Sequence, residues 1–168
     1  IRLGQIAQIK EMKDLMDVGI LGTNIRDKKY IDDAIDYYDY KKYKFENKER
    51  MEFKDQCKFK YIIHVDGHVS AYRLGKELSS GSTLLKVDSL FNYKLWFTNH
   101  LIPNYHYLPI KTDMSNIKSA IISCKKNDDT CKKIADNSKE LFHKINNRKY
   151  ISLYFSNLIN CISNKYII

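Results

Sequence analysis

Hydrophobic and polar positions alternate differently in three parts of the chain. At the amino end Leu3, Ile6, Ile9, Leu15 and Met16 stand at loose helical spacing, and the short apolar run 18–21, closed by Gly22 and Asn24, predicts a strand after that helix. Residues 24–56 are rich in charge and tyrosine but poor in period, which predicts loops and a peripheral helix. Tyr37, Tyr38 and Tyr40 read there as a surface segment or as stacking aromatics.

The pattern sharpens at residue 59. The β-rich run 59–65 predicts a strand that stops at Asp66-Gly67 and passes into a helix beginning near Ser70, Ala71, Tyr72, Arg73 and Leu74. Residues 82–87 predict a second strand, 90–102 an aromatic-rich helix, and 106–110 a third strand. Three stripes follow at helical spacing: Ile117, Ala120, Ile121 and Cys124; then Cys131, Ile134, Ala135, Leu141, Phe142 and Ile145; then Ile151, Tyr154, Phe155, Leu158, Ile159 and Ile162. All three are expected to face a core, with Asp113 and Ser115 as N-caps of the first helix.

A chain of 168 residues buries one core, so a single domain is expected over 1–168. Within it, 1–56 form the periphery, 57–113 the strand–helix core and 114–168 the carboxyl-terminal helices. The β-α-β-α-β alternation predicts an α/β fold: a Rossmann-like parallel sheet with helices on both faces and ligands at the carboxyl ends of its strands. That rule selects the 66–73 turn.

Composition narrows the chemistry. With 43% hydrophobic and 12% aromatic residues, 13 of them Tyr, the chain is not a disordered tail. The net charge of +9 calls for an anionic partner, but the lysines are scattered in pairs such as Lys28-Lys29 and Lys125-Lys126, so a nucleic-acid partner is not predicted. Cys57, Cys124, Cys131 and Cys161 form no C-x-x-C pair, which excludes a zinc ribbon and a thioredoxin-like motif and leaves the compartment unassigned. No apolar run approaches the roughly 20 residues of a membrane span. Ile1 follows neither an initiator Met nor a signal pattern, so the sequence reads as an excised or processed piece.

Gly67 lets backbone approach a diphosphate closely, the N–H groups around Ser70, Ala71 and Tyr72 would face it from a helix start, and Arg73 would add a fixed cation. His64, Asp66 and His68 alternate and offer a competing metal site, although Gly67 interrupts the strand that would align them. There is no D-x-D pair, no G-x-G-x-x-G, no P-loop and no G-x-S-x-G.

Residues 56–74, the Gly81-Ser82-Thr83-Leu84-Leu85-Lys86-Val87-Asp88 segment and the His106-Tyr107-Leu108-Pro109-Ile110-Lys111-Thr112-Asp113-Met114-Ser115-Asn116 block together resemble the protein O-glucosyltransferase family, which includes Rumi, KDEL-motif-containing relatives and capsule-associated transferases. Lys126-Asn127-Asp128 and Ile134-Ala135 extend the resemblance, which covers residues 50–145. It implies a two-lobed GT-B architecture of which this chain is the carboxyl-terminal, donor-binding lobe. It also implies a UDP-glucose or UDP-xylose type of donor, a hydroxyl acceptor on protein or glycan, and neither a metal nor a prosthetic group. By the same resemblance Arg73 contacts the donor diphosphate, 67–71 supply backbone contacts, Arg2 approaches phosphate, and Glu52 and Phe53 lie on the uridine side. The family's catalytic Asp belongs to the other lobe, so no general base is assigned. Its lumenal retention tetrapeptide is absent from the ending Asn164-Lys165-Tyr166-Ile167-Ile168, so localisation stays unassigned. Two other readings stand beside this one: a non-catalytic basic module for a polyanion or a partner protein, and a metal-dependent hydrolase built on His64, Asp66 and His68.

Overall fold

The structure, a computed structural model, describes residues 12, 14–19, 28–31, 34–37, 48–67 and 70–166. In chain order these form strands β1 (Lys28–Ile31) and β2 (Ala34–Tyr37), helix α1 (Phe53–Gln56), strand β3 (Tyr61–His64), helix α2 (Arg73–Leu78), strand β4 (Thr83–Val87), a 3-10 turn at Thr98–His100, strand β5 (Leu108–Ile110), and helices α3 (Ile117–Lys126), α4 (Asp128–Ile145) and α5 (Arg148–Tyr166).

The expected parallel sheet is present, in the order β3-β4-β5. Tyr61 pairs with Thr83 and His64 with Lys86, while Leu85 pairs with Leu108 and Val87 with Ile110. Pro109, which has no N–H to donate, falls on an edge strand, where that loss is tolerated.

Because side chains alternate along each strand, the sheet separates two cores. On one face Leu85, Val87 and Ile110 pack with Ile117, Ile121 and Cys124 of α3 and with Cys131, and Tyr61, Ile63 and Leu108 join from the strands. On the other face Leu84 packs with Leu74 and Leu78 of α2, with Phe97 and Leu101 of the β4–β5 connection, and with Leu141 and Ile145 of α4. The fold is therefore α/β, with helices on both faces of a parallel sheet. Thr83 Oγ1 donates to the Cys131 carbonyl at 2.8 Å, and Ser138 Oγ donates to the His106 carbonyl; these bonds fix α4 against the sheet.

Several local expectations are corrected. Residues 90–102 do not form a helix. Asn92 takes a positive φ of 54°, Ser89 Oγ accepts the Tyr93 N–H at 2.9 Å, and Thr98 Oγ1 accepts the Leu95 N–H at 2.8 Å, so side-chain oxygens divert the amides that a helix would use. The apolar spacing that suggested a helix instead sends Phe97 and Leu101 into the core. Between 24 and 56 the chain forms the antiparallel β1–β2 pair as well as α1. Residues 17–19 have no regular structure where a strand was expected to begin, and Ile20 and Leu21 lie outside the described residues. Most of the predicted helix over 3–16 lies outside them as well; Met12 is helical and buried.

Asn116, not Asp113 or Ser115, holds the N-cap position of α3, and Asp113 Oδ1 instead accepts the Ser115 N–H at 3.0 Å. The third stripe is not a core stripe. Tyr154 packs at a tilt against Trp96, 4.9 Å between centroids, but Phe155, Leu158, Ile159 and Ile162 are exposed.

Candidate functional site

Strand β3 ends at His64, and the chain crosses Val65, Asp66 and Gly67 before returning as α2. Parallel strands bring their carboxyl ends to one rim, and this turn sits on that rim beside Lys86 of β4. Asp66 Oδ1 accepts the Ala71 N–H at 3.4 Å and closes the loop across five residues. Gly67 is exposed, Ser70 half-buried, Ala71 buried, and Tyr72 is 83% exposed.

Helix α2 starts later than expected. Its first residue is Arg73, Tyr72 is the N-cap residue with no side-chain cap, and the Leu74 N–H bonds the Ala71 carbonyl at 3.1 Å. Ser70 and Ala71 therefore precede the helix, and the Ala71 N–H is engaged by Asp66. A helix of six residues has a weak dipole, so attraction for an anion falls mainly on the Arg73 charge.

Arg73 is held at two points. Its Nε donates to Glu77 Oε1 at 3.0 Å, and its Nη2 donates to the Val65 carbonyl. Among the described residues these bonds use two of the five N–H groups of the guanidinium, whose side chain is 53% exposed. Glu77 is buried, with a side chain 4% exposed, and its Oε2 lies 2.6 Å from Nδ1 of the equally buried His64. His64 Nε2 stands 3.8 Å from Asp66 Oδ1. Strand end, loop and helix are thus joined through one network.

The sequence pattern sets His64 beside Asp66 and His68 and does not include Glu77. In the structure His64 Nδ1 faces Glu77, and no group of three His, Cys, Asp or Glu among the described residues is placed to hold a metal. His68 lies outside the described residues, as does Arg2. Glu77 went unnoticed because a lone Glu in a short helix reads as solvated; its one sequence signal is the i, i+4 spacing from Arg73. Phe53 packs against the same helix, with Lys76 Nζ 4.4 Å from its ring centroid, and Glu52 is the N-cap residue of α1.

A cavity of about 460 Å³ lies elsewhere, alongside β3, lined by residues that include Met16, Arg50, Phe59, Lys60 and Tyr61. Among the described residues, none of 66–67 and 70–73 lines it. Tyr61, on its wall, is pushed up to about 12 by burial and by the neighbouring Cys124, Cys131 and Asp128. Asp128 is held below the usual carboxylate range by its hydrogen bond from Lys60, at 2.7 Å. This cluster ties α4 to β3, and it holds its cation, Lys60, at one point where Arg73 is held at two.

The family model for glycosyl transferase family 90 matches residues 7–166. An uncharacterized protein of Invertebrate iridescent virus 6 is 40% identical over 110 residues, 62% of this chain and 9% of that protein. Protein O-glucosyltransferase 2 of Danio rerio is 41% identical over 87 residues, 52% of this chain and 17% of that protein. Protein O-glucosyltransferase 3 of Homo sapiens is 34% identical over 134 residues, 80% of this chain and 24% of that protein. The chain therefore spans a quarter or less of the length of these relatives.

Proposed function

The chain belongs to glycosyl transferase family 90, and on that footing we propose that it is the donor-binding lobe of a GT-B sugar transferase taking a UDP-glucose or UDP-xylose type of donor. The observation that carries this reading is Arg73, half exposed at the carboxyl rim of the sheet, anchored by Val65 and Glu77 and set beside Gly67. An arginine so held meets a diphosphate without first being ordered, and a charge-assisted bond to phosphate is about twice as strong as a neutral one. Asp66 serves the site by closing the loop; its own negative charge suits it to bracing Ala71 and not to touching phosphate.

In the transfer, an acceptor hydroxyl oxygen on protein or glycan forms a bond to the anomeric carbon of the sugar as the bond from that carbon to the diphosphate oxygen breaks. The nucleoside diphosphate leaves with the bonding pair, and Arg73 together with the Gly67–Ala71 backbone offsets the charge it acquires; stabilisation of this kind contributes about 3 kcal/mol. The base that takes the acceptor proton belongs to a partner lobe outside this chain, in keeping with the chain's similarity to a quarter or less of each relative above. Arg2, Glu52 and Phe53 complete the donor contacts on this reading, with Phe53 on the same flank of α2 as Lys76.

Calorimetric titration of the chain with UDP and with ADP, without metal, tests the reading. Selective binding of UDP that Arg73→Ala weakens by about tenfold or more supports it. Binding that ignores the base and falls steeply with salt would instead mark a module for polyanions.

A further inference from the structure

Glu77 belongs to none of the motifs that led to the turn, yet both of its carboxylate oxygens are engaged there. It lies on α2 between the core residues Leu74 and Leu78, at a position that an apolar side chain would fill without desolvating a charge. Burying a carboxylate is costly unless strong bonds replace its water, and here each oxygen has one: Oε1 to Arg73 Nε at 3.0 Å and Oε2 to His64 Nδ1 at 2.6 Å.

The consequence for Arg73 is geometric. A guanidinium is planar, so a bond at Nε and another at Nη2 fix both its position and the tilt of its plane. Two physical effects then compete. The Glu77 charge lowers the local positive potential and works against an anion, while the fixed orientation removes the entropy an arginine otherwise loses when it grips one. Glu77 is buried and Arg73 half exposed, so a ligand arriving from solvent meets the arginine first.

We propose that Glu77 is a positioning residue: shared between His64 and Arg73, it holds the guanidinium so that its remaining N–H groups meet the diphosphate of the donor. This inference rests on the donor-binding reading above, and the test separates the two.

UDP is titrated calorimetrically into the wild-type chain and into Glu77→Gln, Arg73→Ala and the double variant. The expected result is a loss of affinity of about tenfold in Glu77→Gln and no further loss when the same change is added to Arg73→Ala, because the effect runs through that arginine. Equal or tighter binding by Glu77→Gln, with Arg73→Ala still impaired, overturns the positioning role and leaves the donor reading intact. An equal loss in both backgrounds also overturns it, since a merely structural Glu77 would act without Arg73. No binding of UDP by the wild-type chain removes the donor reading and this inference with it. Should Glu77→Gln fail to fold, the wild-type chain decides by nuclear magnetic resonance: the Arg73 Nε–H is expected to exchange with water more slowly than that of the exposed Arg148, and equally fast exchange overturns the proposal.

Discussion

His106 is 8% exposed and accepts the Ile102 N–H at Nδ1, 2.9 Å away, which requires that nitrogen to be unprotonated. Burial holds its pKa below the ordinary histidine range, against the opposing pull of Glu140. The unfolded chain takes up this proton near about pH 6.5, whereas the folded chain does so only at lower pH. The neutral ring thus contributes stability that is present above the unfolded value and is lost as pH falls toward the folded one. Thermal unfolding at about pH 7.5 and about pH 5.5 should show a larger drop in midpoint for the wild type than for His106→Gln. Equal drops would mean that this residue does not carry the effect. At the same scale, Asp66, Gly67 and Arg73 were legible as a string whose residue types suit an anion, whereas the His64–Glu77 pair was not. Its members lie 13 residues apart on different elements and meet only once α2 is laid on β3.

Among the elements, those with one strong period were read correctly and those with mixed signals were not. Strands β3, β4 and β5 fall inside the runs 59–65, 82–87 and 106–110, and the buried faces of α3 and α4 carry Ile117, Ile121 and Cys124, and Cys131, Ile134 and Leu141, as the stripes require. The 90–102 segment misled because its apolar residues share helical spacing while the hydroxyls of Ser89 and Thr98 capture nearby amides, a competition that periodicity does not register. In α5 the period is genuine and the inference of burial was wrong. An amphipathic pattern reports that a face is apolar; it does not report what covers it. The contrast is measurable. Ile121→Ala, in the α3 core, should cost about 2–5 kcal/mol in chemical unfolding. Leu158→Ala, 41% exposed on α5, should change stability by no more than about 0.5 kcal/mol. A large cost at Leu158 would show that the α5 face is buried in the folded chain.

For the whole molecule, the division into two cores by a parallel sheet gives the proposed site its place. With α2 on one face, α3 on the other and α4 contributing Cys131 to the α3 side and Leu141 and Ile145 to the α2 side, the carboxyl ends of β3 and β4 form a rim, and the turn that carries Arg73 lies on it. This much was legible from the alternation of strand and helix. The scatter of the lysines along the sequence likewise kept the net charge of +9 from marking a candidate site. Scattered lysines give a diffuse field, whereas one anchored arginine gives a directional contact. The Arg73 rim and the cavity alongside β3 are separate places, each with cationic side chains, so locating the bound nucleotide decides between them. Amide chemical shifts of the chain, followed by nuclear magnetic resonance through a titration with UDP, make that test most directly. The account predicts the largest changes at Gly67, Ser70, Ala71, Tyr72 and Arg73. Changes confined to Arg50, Phe59, Lys60 and Tyr61 on the cavity wall, or none at all, would contradict it.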